Sequence, residues 1–182
     1  TAVNNTAAPI VATITVTPTA PGNCTGYPKT FTITVNPTAD VNQPANQALC
    51  ANTATTAITF SGSVAGTVYN WTNSNTSIGL AASGTGNIPS FTAENNSTSP
   101  VSATITVTPV IGRCTGTPKT FTITVNPVAE VDQPADQSVC SGGTVAAIHF
   151  SGNVPGVVYS WTNSNSSIGL AASGTGDIAS FN

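Results

Sequence analysis

Few side chains of this sequence are equipped for chemistry. Its 182 residues hold four cysteines, one histidine, six carboxylates and three cations, Lys29, Arg113 and Lys119. The cysteines carry the most structural weight. Cys50 and Cys114 stand 64 residues apart, and a disulfide closing that loop would contribute roughly 4 kcal/mol by restricting the unfolded chain. Our reading pairs Cys50 with Cys114, both placed at one end of a folded unit, and gives Cys24 and Cys140 partners in adjacent units or chains. Free buried thiols are one alternative; a metal site is another, with no Cys-x-x-Cys or His-rich spacing behind it.

The remaining candidates thin out quickly. His149 is the sole histidine, so no nucleophile–base pair can be assembled around it, and its alternation with Ile148 and Phe150 turns it to solvent. Asp132 and Asp136 are spaced to suggest a calcium ion, but Asn42 and Asn46 hold those places in an earlier copy of the stretch, which keeps only Asp40 against Glu130. No metal or cofactor is assigned. Tyr69 with Trp71, and Tyr159 with Trp161, each fall on one face of a strand. They suit either a sugar-stacking platform or core anchors, and in a chain with 6% aromatic residues the core needs them more. Acid, base and nucleophile sets are all missing, so the chain reads as no enzyme.

The elements that must position these residues repeat. The stretch C-T-G-x-P-K-T-F-T-I-T-V-N-P occurs at residues 24–37 and again at 114–127, a period of 90 residues. Within it Phe121, Ile123 and Val125 alternate with threonines, the two-residue period of a half-buried strand, and Asn126-Pro127 ends the run. Residues 12–16 and 31–35 form a hairpin, and 103–107 with 121–125 form another. Short strands are also predicted at Ile58 and Phe60, at 67–72, and at Phe91 and Ala93. Residues 37–50, rich in Pro and Asn, read as linker and edge strand. Seven short strands in about 90 residues, one carrying a Trp, predict an all-β chain of tandem antiparallel immunoglobulin-like sandwiches. The divisions are 1–36, the closing hairpin of one repeat; 37–126, a complete repeat; and 127–182, the beginning of a third that lacks its last two strands.

Charged residues make up only 5% and the net charge is −3. So thin a charge offers no grip on phosphate backbones or anionic lipid, which sets aside nucleic acid and membrane surfaces. No run reaches the roughly 18 apolar residues of a membrane span. Four cysteines, no Met and few Lys fit an oxidising, extracellular setting.

The succession V-x-Q-P-A-x-Q-x-x-C, F-S-G-x-V-x-G-x-V-Y-x-W-T-N-S-N, S-I-G-L-A-A-S-G-T-G, A-T-I-T-V-T-P and C-T-G-x-P-K-T-F-T-I-T-V-N-P resembles the PKD-like, immunoglobulin-like tandem repeats of very long secreted or surface proteins of the Bacteroidota. The resemblance spans the whole chain. It implies a β-sandwich repeat of a filament or adhesin stalk, with no catalytic residues to carry over. The expected partners are adjacent repeats or copies of the chain itself, the hairpin of residues 1–36 completing residues 127–182 of a neighbour head to tail. Approach of Cys24 to Cys140 would mark that junction. The alternative, from a different class, is a carbohydrate-binding accessory module with a glycan as partner.

Overall fold

A computed structural model describes all 182 residues, and the chain is β throughout apart from two single-turn 3₁₀ segments. In order, the strands are β1 Ile10–Val16, β2 Thr19–Ala20, β3 Cys24–Thr25, β4 Lys29–Val35, β5 Gln47–Cys50, β6 Val68–Asn73, β7 Ser83–Thr85, β8 Val101–Ile111, β9 Cys114–Thr115, β10 Lys119–Asn126, β11 Ser160–Thr162 and β12 Ser173–Thr175. A six-stranded sheet occupies the middle of the chain in the order β5-β10-β8-β6-β7, with β9 on the end of β8. Before it stands the β1–β4 hairpin, tipped by β2 and β3, and after it the β11–β12 pair. Neither shares a ladder with the central sheet.

The Thr-alternating runs become strands because their apolar side chains have something to cover. In β8, Ala103, Ile105 and Val107 are buried, and in β10 Phe121, Ile123 and Val125 are buried opposite them. Against this sheet lies a thinner layer held by single antiparallel bridges, Ala54 to Thr92 and Ile58 to Ile88. The strands expected at Ile58/Phe60 and Phe91/Ala93 thus appear as bridged extended segments. Ile58, Phe60, Ile78, Leu80, Ile88 and Ala93 come from that layer to fill the core. Every member of the 15-residue core cluster lies between Val41 and Val125.

One pairing departs from the antiparallel expectation: β5 runs parallel to β10, with Gln47 opposite Ile123 and Cys50 opposite Asn126. The cause lies in the Q-P-A-N-Q stretch. Pro44 has no N–H to give a ladder, so side-chain amides take over: Gln43 Nε2 donates to the Thr120 carbonyl (2.7 Å), and Asn46 Oδ1 accepts from Thr122 N–H (2.8 Å). Gln47 then holds both backbone groups of Thr56 across to the other layer. Residues 39–50 therefore follow β10 from its beginning, where Ala39 meets Gly116, to its end.

The chain consequently enters the central unit at one end of the sheet, beside Gly116, and leaves at the other, at Asn126. A polar cleft of about 270 Å³ at the exit end is shared by residues 95–98 and by Val128, Glu130 and Asn153 of the next segment. Successive segments meet end to end.

Candidate functional site

The T-N-S-N motif builds the corner of the core. Asn73 is buried; its Nδ2 donates to the Leu80 carbonyl (2.9 Å) and its Oδ1 accepts from Asn75 N–H (3.0 Å). Asn75 caps the 3₁₀ turn Thr76–Ile78 by accepting from Ser77 N–H, and Gly79 ends it in the left-handed region at φ 89°. The turn delivers Ile78 against β8 and β10. Asn163, Asn165, Ser167 and Gly169 reproduce these bonds around Ile168.

The aromatic candidates also fall into place. Trp71 is 7% exposed and lies in the core; Tyr69 is half-buried beside Phe60, ring centroids 5.8 Å apart. Burial, and then the charge of Asp40, raises the Tyr69 phenol above its ordinary pKa. The indole of Trp71 lies over Gly84, its cross-strand neighbour, leaving no room for a side chain there. Its Nε1 is buried with no hydrogen-bond partner, as is that of Trp161. Trp161 lies over Gly174 in the same way and Tyr159 packs on Phe150 at 5.7 Å, but both aromatics are only half-buried.

The same residue types end in opposite environments along the chain. Phe121 is 2% exposed and Ile123 0%, whereas Phe31 is 52% and Ile33 48%. Ile78 is fully buried, whereas Ile168 is 56% exposed. The reason is what lies opposite. In the central unit the β8–β10 hairpin extends the sheet of β6 and β7, and its apolar side meets Ile58, Phe60, Ile78, Leu80, Ile88 and Ala93. The β1–β4 hairpin faces nothing, and residues 127–182 carry the bridges Val145 to Phe181 and Ile148 to Ile178 with no hairpin over them. What remains is a cleft of about 440 Å³ lined by Val139, Cys140, Val145 and Ile168 among others. Two open apolar faces flank one closed core.

The cysteine pairing is corrected. All four cysteines are free. Cys50 sits at the exit end of the sheet opposite Asn126, while Cys114 faces Ile111 at the far end of β8. Nearly the whole of the 11-residue β8 separates them, on the order of 30 Å of strand, against Cα separations below about 7 Å for a disulfide. The expectation that both lie at one end failed because it took no account of the direction of β5. Cys24 stands in the hairpin tip opposite Ala20, and Cys140 is exposed at the position matching Cys50, so these two belong to opposite ends as well.

His149 does have a partner. Its Nδ1 lies 2.7 Å from Asp177 Oδ2, with the imidazole 79% exposed. The Phe150 N–H, and then His149, hold the Asp177 carboxyl below the usual aspartate range. A solvated pair whose carboxylate is occupied by a backbone amide orients a loop; it presents no nucleophile. Asp132 accepts from Ser151 Oγ at 2.7 Å, and no cluster of three or more metal-ligating side chains forms anywhere in the chain. No protein-family model matches the chain, and no curated protein matches it.

Proposed function

We propose that the chain is a structural module: a tandem of immunoglobulin-like, PKD-like β-sandwich units forming part of an extracellular bacterial filament or surface-adhesin stalk. The observation that carries this reading is the path of the chain. It enters the central sheet beside Gly116 and leaves it beyond Asn126, at the opposite end, so each added unit extends one axis and leaves the previous one in place. Stability then sums over units and junctions, and length scales with repeat number. The resemblance of the repeated motifs to Bacteroidota surface-protein repeats supports the setting, and a chain with only 5% charged residues lets rods lie side by side with little repulsion.

Negative-stain imaging of the native material tests the proposal. The expected object is a thin fibre beaded at about 40 Å, the length of the longest strand plus a short linker at about 3.3 Å per residue. Compact particles without an axial repeat would contradict it.

A further inference from the structure

We propose that the flank of the central unit carries a binding site for a neutral sugar, in the cleft between residues 42–47 and 56–61. The site goes beyond the structural-module reading and does not rest on it.

The cleft belongs to the one complete unit and is closed by that unit's own bonds. Its volume is about 450 Å³, within the roughly 300–1,000 Å³ that small-molecule sites occupy. One bank, residues 42–47, runs along β10 at the edge of the sheet, and the other, residues 56–61, belongs to the bridged layer. A clasp closes each end. At one, Asn42 N–H donates to the Ser61 carbonyl (2.8 Å) and Asn42 Nδ2 to Ser61 Oγ (3.0 Å). At the other, Gln47 Nε2 donates to the Thr56 carbonyl (2.8 Å) and Gln47 Oε1 accepts from the Thr56 N–H (3.0 Å). Between the clasps the banks share no hydrogen bond, and they part. The cleft opens on the flank, whereas neighbouring segments meet the unit at its ends, beside Gly116 and beyond Asn126.

The clasps decide against an extended peptide. From Asn42 to Asn46 and on to Gln47 the bank spans at most about 18 Å of chain. A peptide that adds as a strand needs an open-ended edge with a run of backbone donors; here both ends are tied, and Pro44 has no N–H. The occupant is compact.

The lining selects its chemistry. None of the 11 lining residues is charged, so nothing there offsets the desolvation of an ion. The backbone groups of Ala45, Ala57 and Thr59 have no partner in the chain, and neither do the hydroxyls of Thr56 and Thr59. Donors and acceptors thus lie side by side on both banks, next to apolar Pro44 and Ile58. A hydroxyl both donates and accepts, and a sugar ring presents several of them around apolar C–H faces. Both banks are already held, the outer by Gln43 and Asn46 on β10 and the inner by Ile58 on Ile88, so binding has little left to order. Tyr69 and Trp71 take no part, being engaged by the core.

The next copy of the stretch supplies a contrast. Both clasps recur: Asp132 N–H donates to the Ser151 carbonyl while Asp132 Oδ2 accepts from Ser151 Oγ, and Gln137 holds both backbone groups of Ala146. Yet Asp132, Asp136 and His149 stand where Asn42, Asn46 and Thr59 line the first cleft. Carboxylates hold their water, and a neutral ring displaces it at a cost. The sugar therefore selects the first copy.

The test follows amide resonances of the isotope-labelled full chain as the neutral disaccharides cellobiose, maltose and lactose are each added into the millimolar range. At least one is expected to shift amides of residues 43–46 and 56–59 saturably and leave those of 133–136 and 146–149 unmoved. Ala57→Arg, at an exposed lining residue outside both clasps, should weaken that binding at least tenfold; Thr59→Glu should do the same by charge. Circular dichroism checks that both variants fold. No saturable shift with any of the three sugars, equal shifts in both copies, or folded variants that bind like the wild type would overturn the inference. Each of these results leaves the structural-module reading standing, since a stalk needs no ligand.

Discussion

Replacing Gly84 by Ala tests how tightly the central core is closed. A methyl at this position would sit 2.6 Å from Cε2 of Trp71 and closer still to Cζ2, so the indole must move. Trp71 is 7% exposed and hemmed in by Val107 and the rest of the core cluster, so there is nowhere unstrained for it to go. Overpacking of this kind costs about 1–3 kcal/mol, which for a unit of this size lowers the melting temperature by about 5–15 °C. The control is Gly174→Ala. The same 2.6 Å approach to Cε2 of Trp161 exists there, but that indole is half-buried beneath an open face and can lift away, so the loss should stay below about 1 kcal/mol. Calorimetry of the full chain, with tryptophan emission as a second probe, measures both. Equal losses at the two glycines, or none at Gly84, would refute the distinction between a closed and an open core.

Three further outcomes follow from individual contacts. Asn46→Ala removes the acceptor of the Thr122 N–H at a solvent-exposed bond and should cost about 0.5–1.5 kcal/mol, with faster amide exchange localised to residues 119–124. Asp40 accepts from Ser63 N–H at 2.8 Å, and that bond, ahead of the Ser63 hydroxyl, lowers its pKa from 3.8. A depressed folded-state value means stability that is present above 3.8 and lost as pH falls through the folded value, so a melting-temperature profile from pH 6 to 2 should flatten at its acid end in Asp40→Asn. Cys50→Ser and Cys114→Ser, singly or together, should change stability by less than about 0.5 kcal/mol, and reducing agent should leave the monomer's melting temperature unchanged; a drop on reduction would restore an intramolecular disulfide.

How much was legible in the sequence depends on what each residue needs. Alternation alone located β4, β8 and β10, because a two-residue period is a property of the strand itself. Whether those side chains are buried is not: Phe31 and Phe121 sit in nearly identical stretches, and only the partner elsewhere in the chain separates them. The parallel direction of β5 was invisible to pattern reading, since it is set by amides of Gln43 and Asn46 standing in for a ladder that Pro44 interrupts, and the misplacement of Cys50 followed from it. S-G-T-G reads as a turn by composition, yet Ser83–Thr85 is a strand whose glycine makes room for Trp71. The His149–Asp177 pair did leave a signal. Asn87 bonds the Phe60 N–H where Asp177 bonds that of Phe150, so Thr59 and Asn87 change together to His149 and Asp177 between the copies.

Hydrogen exchange on the full chain bears most directly on the claim that one closed core stands beside two open faces. Amides of residues 103–107 and 119–126 should be protected, while those of 10–16 and 29–35, in nearly the same sequence, exchange freely. Equal protection of the two hairpins would contradict the account.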